Sequence, residues 1–280
     1  MIGMLLVSLL ILSLAWANGA NDVSKGVATL AGGGLAGARR AILWGTLCTM
    51  LGGLAAVIWG GALISTFSNG FLNSGFPMSL AFLGGVIVGA AAWVFLATRL
   101  GLPVSTTHAL LGGVVGSALV MAGPDGLRTA AIANKALLPL LLSPLIAIAL
   151  CWFLLILAKF VEKKIPAWSP GCCEQQAWQK NPFVCADNAE QLPLPLVQKV
   201  WVGLHWLSSG TTSFARGLND VPKIAAFLVL AVALVPNAPE MISQYNVIGP
   251  IVAVTLIMGL GSLWGGLRVL QVLAHKVTPM

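Results

Sequence analysis

A chain of 280 residues with 58% hydrophobic and 8% charged residues and a mean hydropathy of +0.93 lies far from soluble domains, in which about 25% of residues are charged. Its 15 basic and 8 acidic residues leave a formal charge of +7, yet the basic ones are scattered singly between apolar runs and form no stripe able to track a phosphate backbone. These features exclude a nucleic-acid-binding protein and indicate a polytopic membrane protein embedded in a lipid bilayer.

In chain order, residues 2–17 are apolar and 18–38 are apolar but interrupted by "NGANDVSK". Ala15-Trp16-Ala17 has the small-x-small pattern of a cleavage site, but no Lys or Arg precedes the run, so it reads as a retained first span. Runs at 41–64, 78–98, 103–122, 136–158 and 244–266 have the roughly 20 residues needed to cross a hydrocarbon core. Shorter runs lie at 197–214 and 221–236. All are continuous rather than alternating, so helices and not a closed barrel must satisfy the backbone. The expected fold is all-α, a multi-pass integral protein of the cell membrane, plasma or inner.

The polar stretch 159–198 holds prolines, half of the acidic residues and Cys172, Cys173 and Cys185. It divides a first membrane repeat, 1–158, from a second, shorter one, 199–280. The cysteine spacing lacks paired C-x2-C sets and reads as free thiols, while Cys48 and Cys151 read as packing residues. By span count, Arg39, Arg40, Arg99, Lys159, Lys163 and Lys164 share one side and the loop 65–77 carries no charge. That side is expected to be cytoplasmic and the N-terminus external, although Arg128 and Lys135 fall on the opposite side.

The polar interruption occurs twice. "ANGANDVSKGVATL" at 17–30 aligns without a gap on "ARGLNDVPKIAAFL" at 215–228, with eight of fourteen positions identical. The shared core is Gly19, Asn21, Asp22, Val23 and Lys25, and again Gly217, Asn219, Asp220, Val221 and Lys223. Ionisable residues at membrane depth cost at least about 2.5–3.5 kcal/mol each on insertion scales, so recurring acid–base pairs call for a reason. One reading is mutual neutralisation of residues three apart on a helix. The other is a pair of broken, re-entrant helices. Gly19 and Gly217 then permit the break, Asn and Asp cap the next helix, and Pro222 suits its first turn. If 18–38 and 221–236 both re-enter, an odd number of spans separates the copies and the second is inverted, as in many secondary transporters.

A second polar island, "GLPVSTTHALLGG" at 101–113, starts with Pro103 and places Ser105, Thr106, Thr107 and His108 together. Alone it is a helix cap; beside the duplicated motif it offers hydroxyls to an oxyanion. Arg216 precedes the second motif where Asn18 precedes the first. It either adds positive charge to the site or snorkels to the interface. His205, among Trp201, Leu204 and Trp206, reads as interfacial, and His275 carries no assignment.

With these residues the chain resembles the inorganic phosphate transporter (PiT) family, which includes sodium- or proton-coupled phosphate transporters and some sulfate permeases. The resemblance rests on the two Gly-x-Asn-Asp motifs and the Gly-Leu-Pro-Val-Ser-Thr-Thr-His element. It implies ion and substrate sites at Asn21, Asp22, Asn219 and Asp220, oxyanion contacts from Ser105, Thr106 and Thr107, and a coupling proton or sodium ion. Two departures stand out. The family commonly has asparagine three residues after the aspartate, where this chain has Lys25 and Lys223. An ammonium there either takes a position that sodium uses elsewhere or binds the oxyanion itself. Second, the repeat offset of 198 residues puts the counterpart of the Gly101 element near 299, beyond Met280. A longer reading frame, another subunit such as a second copy in a homo-oligomer, or a different short form would each account for this.

The expected function is therefore secondary transport of inorganic phosphate by alternating access. Phosphate retains a proton that it can donate to Asp22 or Asp220, whereas sulfate, the rival substrate, accepts only. A membrane enzyme or accessory subunit is the rival from another class, and His108 among hydroxyls is its support. No G-x-S-x-G, H-E-x-x-H or P-loop pattern is present, and no cofactor is expected.

Overall fold

A computed structural model describes residues 2–164, 196–234 and 247–274. Among the described residues the regular structure is helical: α1 Ile2–Gly32, α2 Ala38–Trp59, α3 Gly61–Ser65, α4 Leu80–Leu100, α5 Thr106–Ala122, α6 Thr129–Ile132, α7 Leu138–Lys164, α8 Leu196–Ala233 and α9 Ile248–Val272. Short irregular turns join several of these, and one isolated bridge links Leu72 to Leu127. Among the described residues five stretches are long and apolar enough to cross a membrane; the run 103–122 is not one of them, because Ser105 caps its helix late and α5 has only 17 residues.

The expected helix breaks are not there. α1 runs for 31 residues straight through the first motif, and α8 runs for 38 residues through the second, with Pro222 inside it. The physical reason is the solvent. Breaking a helix in hydrocarbon leaves peptide groups with no water to bond, at several kcal/mol each. A glycine within the helix costs only about 1 kcal/mol, and Pro222 removes only the one bond to the Leu218 carbonyl. The runs 2–17 and 18–38 are thus one helix, as are 197–214 and 221–236. The odd span count required both segments to re-enter, so it no longer supports inversion.

The glycines serve close approach instead. A Cβ on Gly19 would overlap the Met258 carbonyl of α9, and one on Gly217 would overlap the Thr49 carbonyl of α2. Reciprocally, Gly261 of α9 lies against Trp16 and Gly52 of α2 lies against Phe214. Trp16 and Phe214 are separated by the same offset as the motifs, and Thr49–Met258 and Gly52–Gly261 share a second offset. One crossing is therefore built twice, α1 on α9 and α8 on α2, and these are the most extensive helix pairings of the fold. Small residues at such crossings let backbones pack closely where no hydrophobic force acts between helices. Ser262 Oγ also donates to the Gly19 carbonyl at 3.1 Å and to the Met258 carbonyl at 2.9 Å.

α4 and α5 pack on the α1 side of this group. At one end of the bundle the loop after α3 meets the turn after α5: Arg128 N donates to the Phe71 carbonyl at 2.9 Å and Asn73 Nδ2 to the Asp125 carbonyl at 2.7 Å. α7 stands apart, with none of its apolar window buried. Cys48 is buried as expected, but Cys151 is exposed on α7 and does not pack. Cys172, Cys173, Cys185 and His275 lie outside the described residues, as does most of 159–198.

A valine at Gly19 or Gly217 should lower the thermal unfolding midpoint in detergent, because overpacking against backbone costs about 3 kcal/mol or more. Gly84→Val, where nothing lies within 4 Å, should leave the midpoint unchanged.

Candidate functional site

The site starts from the end of α4. Gly101 adopts φ 75° and stops the helix in the left-handed region, a conformation that glycine takes without a Cβ clash. Residues 102–105 then run without helical structure until Ser105 caps α5, its Oγ accepting from the His108 amide at 3.3 Å. Asn21 fixes this segment against α1. Its Nδ2 donates to the Leu102 carbonyl at 2.9 Å and to Thr98 Oγ1 at 3.1 Å, while its Oδ1 accepts from the Val104 amide at 3.0 Å.

That docking brings two neighbouring hydroxyls of α5 to two different helices. Thr106 Oγ1 accepts from Asn18 Nδ2 of α1 at 2.8 Å, and Thr107 Oγ1 accepts from Lys223 Nζ of α8, also at 2.8 Å. Consecutive helical residues point about 100° apart, which is why adjacent threonines can serve separate helices.

Each motif carries its own ion pair. Lys25 Nζ lies 2.5 Å from Asp22 Oδ1 and 2.5 Å from the Val104 carbonyl. Lys223 Nζ lies 3.7 Å from Asp220 Oδ1 and 5.9 Å from the centre of the Phe67 ring. Asp22 also accepts from Asn18 Nδ2 at 3.4 Å, and Asn219 Nδ2 donates to Asp220 Oδ1 at 3.1 Å. Asp22, Asp220 and Lys223 are buried, and the two carboxylates are close enough to act on each other electrostatically. Buried charges survive only when paired and hydrogen-bonded. With Arg216, three cations stand against two carboxylates, an excess that favours an anion.

Most of the residues expected from the sequence are thus brought together. Asp22, Lys25, Thr106 and Asn21 gather around α1, and Asp220, Lys223 and Thr107 around α8. Ser105 holds the start of α5 and makes no hydrogen bond with either motif among the described residues. Asn219 is exposed, whereas Asn21 is enclosed by the 98–104 segment. His108 lines a groove of about 400 Å³ between α4 and α5 with Trp93, Gly85, Gly89 and Gly112, and neither aspartate is among the lining residues. The sequence pattern does not single out Asn18, Thr98 or Thr49 as site residues. Asn18 is legible as the repeat partner of Arg216, but Thr98 sits in an apolar run with no signal to mark it.

The phosphate transporter family matches residues 18–280. Two proteins that carry the name phosphate permease are 31% identical over 220 residues, in Pyrococcus abyssi, and 30% identical over 230 residues, in Pyrococcus furiosus. The alignments cover 77% and 80% of this chain but 48% and 49% of those proteins, so the chain spans about half the length of the curated relatives it matches. A solved structure of a sodium-dependent phosphate transporter shares the fold, with a TM-score of 0.73 at 21% identity, over 100% of this chain and 80% of its own. The family match over nearly all of the sequence, carried on a bundle of membrane-length helices with paired buried charges, makes this chain a multi-pass integral membrane member of the phosphate transporter family.

Proposed function

We propose that the chain forms the membrane pathway of a secondary transporter for inorganic phosphate, in the cell membrane, working by alternating access. The observation that carries this reading is the junction of Thr106 and Thr107 with the two motifs. One short segment meets Asn18 beside the first motif and Lys223 of the second, so a solute held by the hydroxyls is held by both repeats at once. We take 1–158 and 199–280 as the two repeats about the loop 159–198.

A tetrahedral oxyanion suits the donors. Threonine hydroxyls and lysine ammonium groups give short, charge-assisted hydrogen bonds to its oxygens. Asp22 and Asp220 can only accept, so they favour an anion that still carries a proton, which phosphate does near neutral pH and sulfate does not. The His108 support for an enzyme is weakened by its place in the α4–α5 groove, whose lining holds no carboxylate.

The lysines bear on coupling. The Lys25 ammonium sits among oxygens of Asp22 and Val104, and the Lys223 ammonium between Thr107 and Asp220. Carboxylate, carbonyl and hydroxyl oxygens are the donors a hard alkali ion would use. In this reading the two ammonium groups are tethered counter-cations in place of sodium, and the coupling ion is a proton. The sodium dependence of the structural neighbour stays with that protein.

Two outcomes are expected in proteoliposomes fed labelled phosphate. Asp22→Asn or Asp220→Asn should cut uptake by about a hundredfold, the loss of a hydrogen bond to a charged group, with insertion unchanged. Wild-type uptake in both would refute the site. Replacing sodium by choline should leave the wild-type rate within about twofold, because the fixed ammonium charges need no sodium. Uptake that vanishes without sodium would remove the tethered-cation reading.

A further inference from the structure

Arg216 carries donors that the rest of the fold leaves unused. It stands one residue before Gly217, the glycine that presses α8 onto α2, so its side chain starts inside the crossing. There Nη2 donates to Thr49 Oγ1 at 2.5 Å, while Nε and Nη1 are buried without a hydrogen-bond partner among the described residues. A guanidinium has five N–H groups, and a buried one left unpaired is costly. An arginine kept only for structure would turn its fork onto a carboxylate. Two are within electrostatic reach, Asp220 about one turn on in α8 and Asp22 of the other repeat. Neither forms an ion pair with it, since each is taken by its own lysine.

The repeat-related residue is complementary. Asn18 gives its Nδ2 to Thr106 and Asp22, and its Oδ1 is buried without a partner. Because a carboxylate only accepts, the nitrogen belongs on the Asp22 side and the orphan atom is the carbonyl oxygen. Arg216 thus holds unfilled donors, and Asn18, hydrogen-bonded to Asp22, holds an unfilled acceptor. A protonated tetrahedral oxyanion has both complements, bare oxygens and a hydroxyl.

We propose that Arg216 is an anion-binding residue of this site, its free N–H groups taking the unprotonated oxygens of the substrate while Asn18 Oδ1 and Asp22 face its hydroxyl. Thr49 latches the guanidinium in that orientation. The inference rests on the transport reading for the choice of hydrogen phosphate as the anion; the clamp itself requires only a tetrahedral oxyanion.

The test is uptake of labelled phosphate by the reconstituted chain, with KM and maximal rate measured separately. Arg216→Lys keeps the charge but loses the planar fork. It is expected to raise KM by about ten- to a hundredfold with a much smaller change in maximal rate. Asn18→Leu should bring the inhibition constant of sulfate closer to the KM for phosphate, a shift in ratio that general loss of structure would not produce. Stabilisation of the detergent-solubilised protein by inorganic phosphate, read as a rise in unfolding midpoint, should be present in wild type and absent in Arg216→Gln. An unchanged KM in Arg216→Lys, or undiminished phosphate stabilisation in Arg216→Gln, overturns the clamp. If sulfate but not phosphate is moved, and Arg216→Lys raises the sulfate KM, the clamp stands and the phosphate reading fails. If neither anion is moved or stabilises the protein, both fail.

Discussion

Backbone lying on backbone is the constraint from which the rest of this structure follows. In hydrocarbon, helices gain little from apolar side chains, so close crossings must come from small residues. Here the crossing of α1 on α9 at Gly19 is repeated as α8 on α2 at Gly217. Because the charged motif follows each glycine within a few residues, each crossing delivers an aspartate to the interior of the bundle, with its lysine buried in the second copy and exposed in the first. The glycine and the charges are one device: the first makes room, and the second is then forced to find partners away from lipid.

Those partners explain the uneven treatment of the two motifs. Around α1, the Asn21 bonds draw the 101–104 segment inward, and its Val104 carbonyl completes the shell of Lys25. Around α8 no such segment covers Asn219 among the described residues, and Lys223 reaches across to Thr107 instead. The second ion pair is correspondingly longer, 3.7 Å against 2.5 Å. Pairs of this kind add little net stability once desolvation is counted, so their recurrence is better explained by what they hold than by what they stabilise.

The sequence made the helical class, the main spans and the charged constellation legible, because continuous hydrophobicity and a gapless repeat are local signals. It misled at the motifs themselves. Gly19 and Gly217 read as breaks, and Pro222 as a helix start, under rules learned from water, where an opened helix end is rescued by solvent; in the membrane interior the helix stays closed and the glycine becomes a contact. The crossing partners were also hidden, since Thr49 and Met258 are ordinary apolar-run residues until their shared offset is noticed. "TLCTMLGGL" at 46–54 and "TLIMGLGSL" at 255–263 carry the same duplication in a weaker form. Ser105, Thr106 and Thr107 were found as a group, but only three-dimensional placement separates the cap from the two hydroxyls that reach the motifs.

The adjacency of Thr106 and Thr107 would give the alternating access proposed above a physical basis. They occupy the first turn of one helix, so they cannot move independently: any tilt of α5 that loosens Thr106 from Asn18 also changes the reach of Thr107 to Lys223. A solute bridging the two hydroxyls would add ties between α1 and α8 through the same rigid turn. Its departure removes those ties together, not in sequence. A site divided between flexible loops would lack this property, since each half could release while the other held. Neighbouring residues on a helix, pointed at separate halves of the molecule, make binding to one repeat and binding to the other a single event.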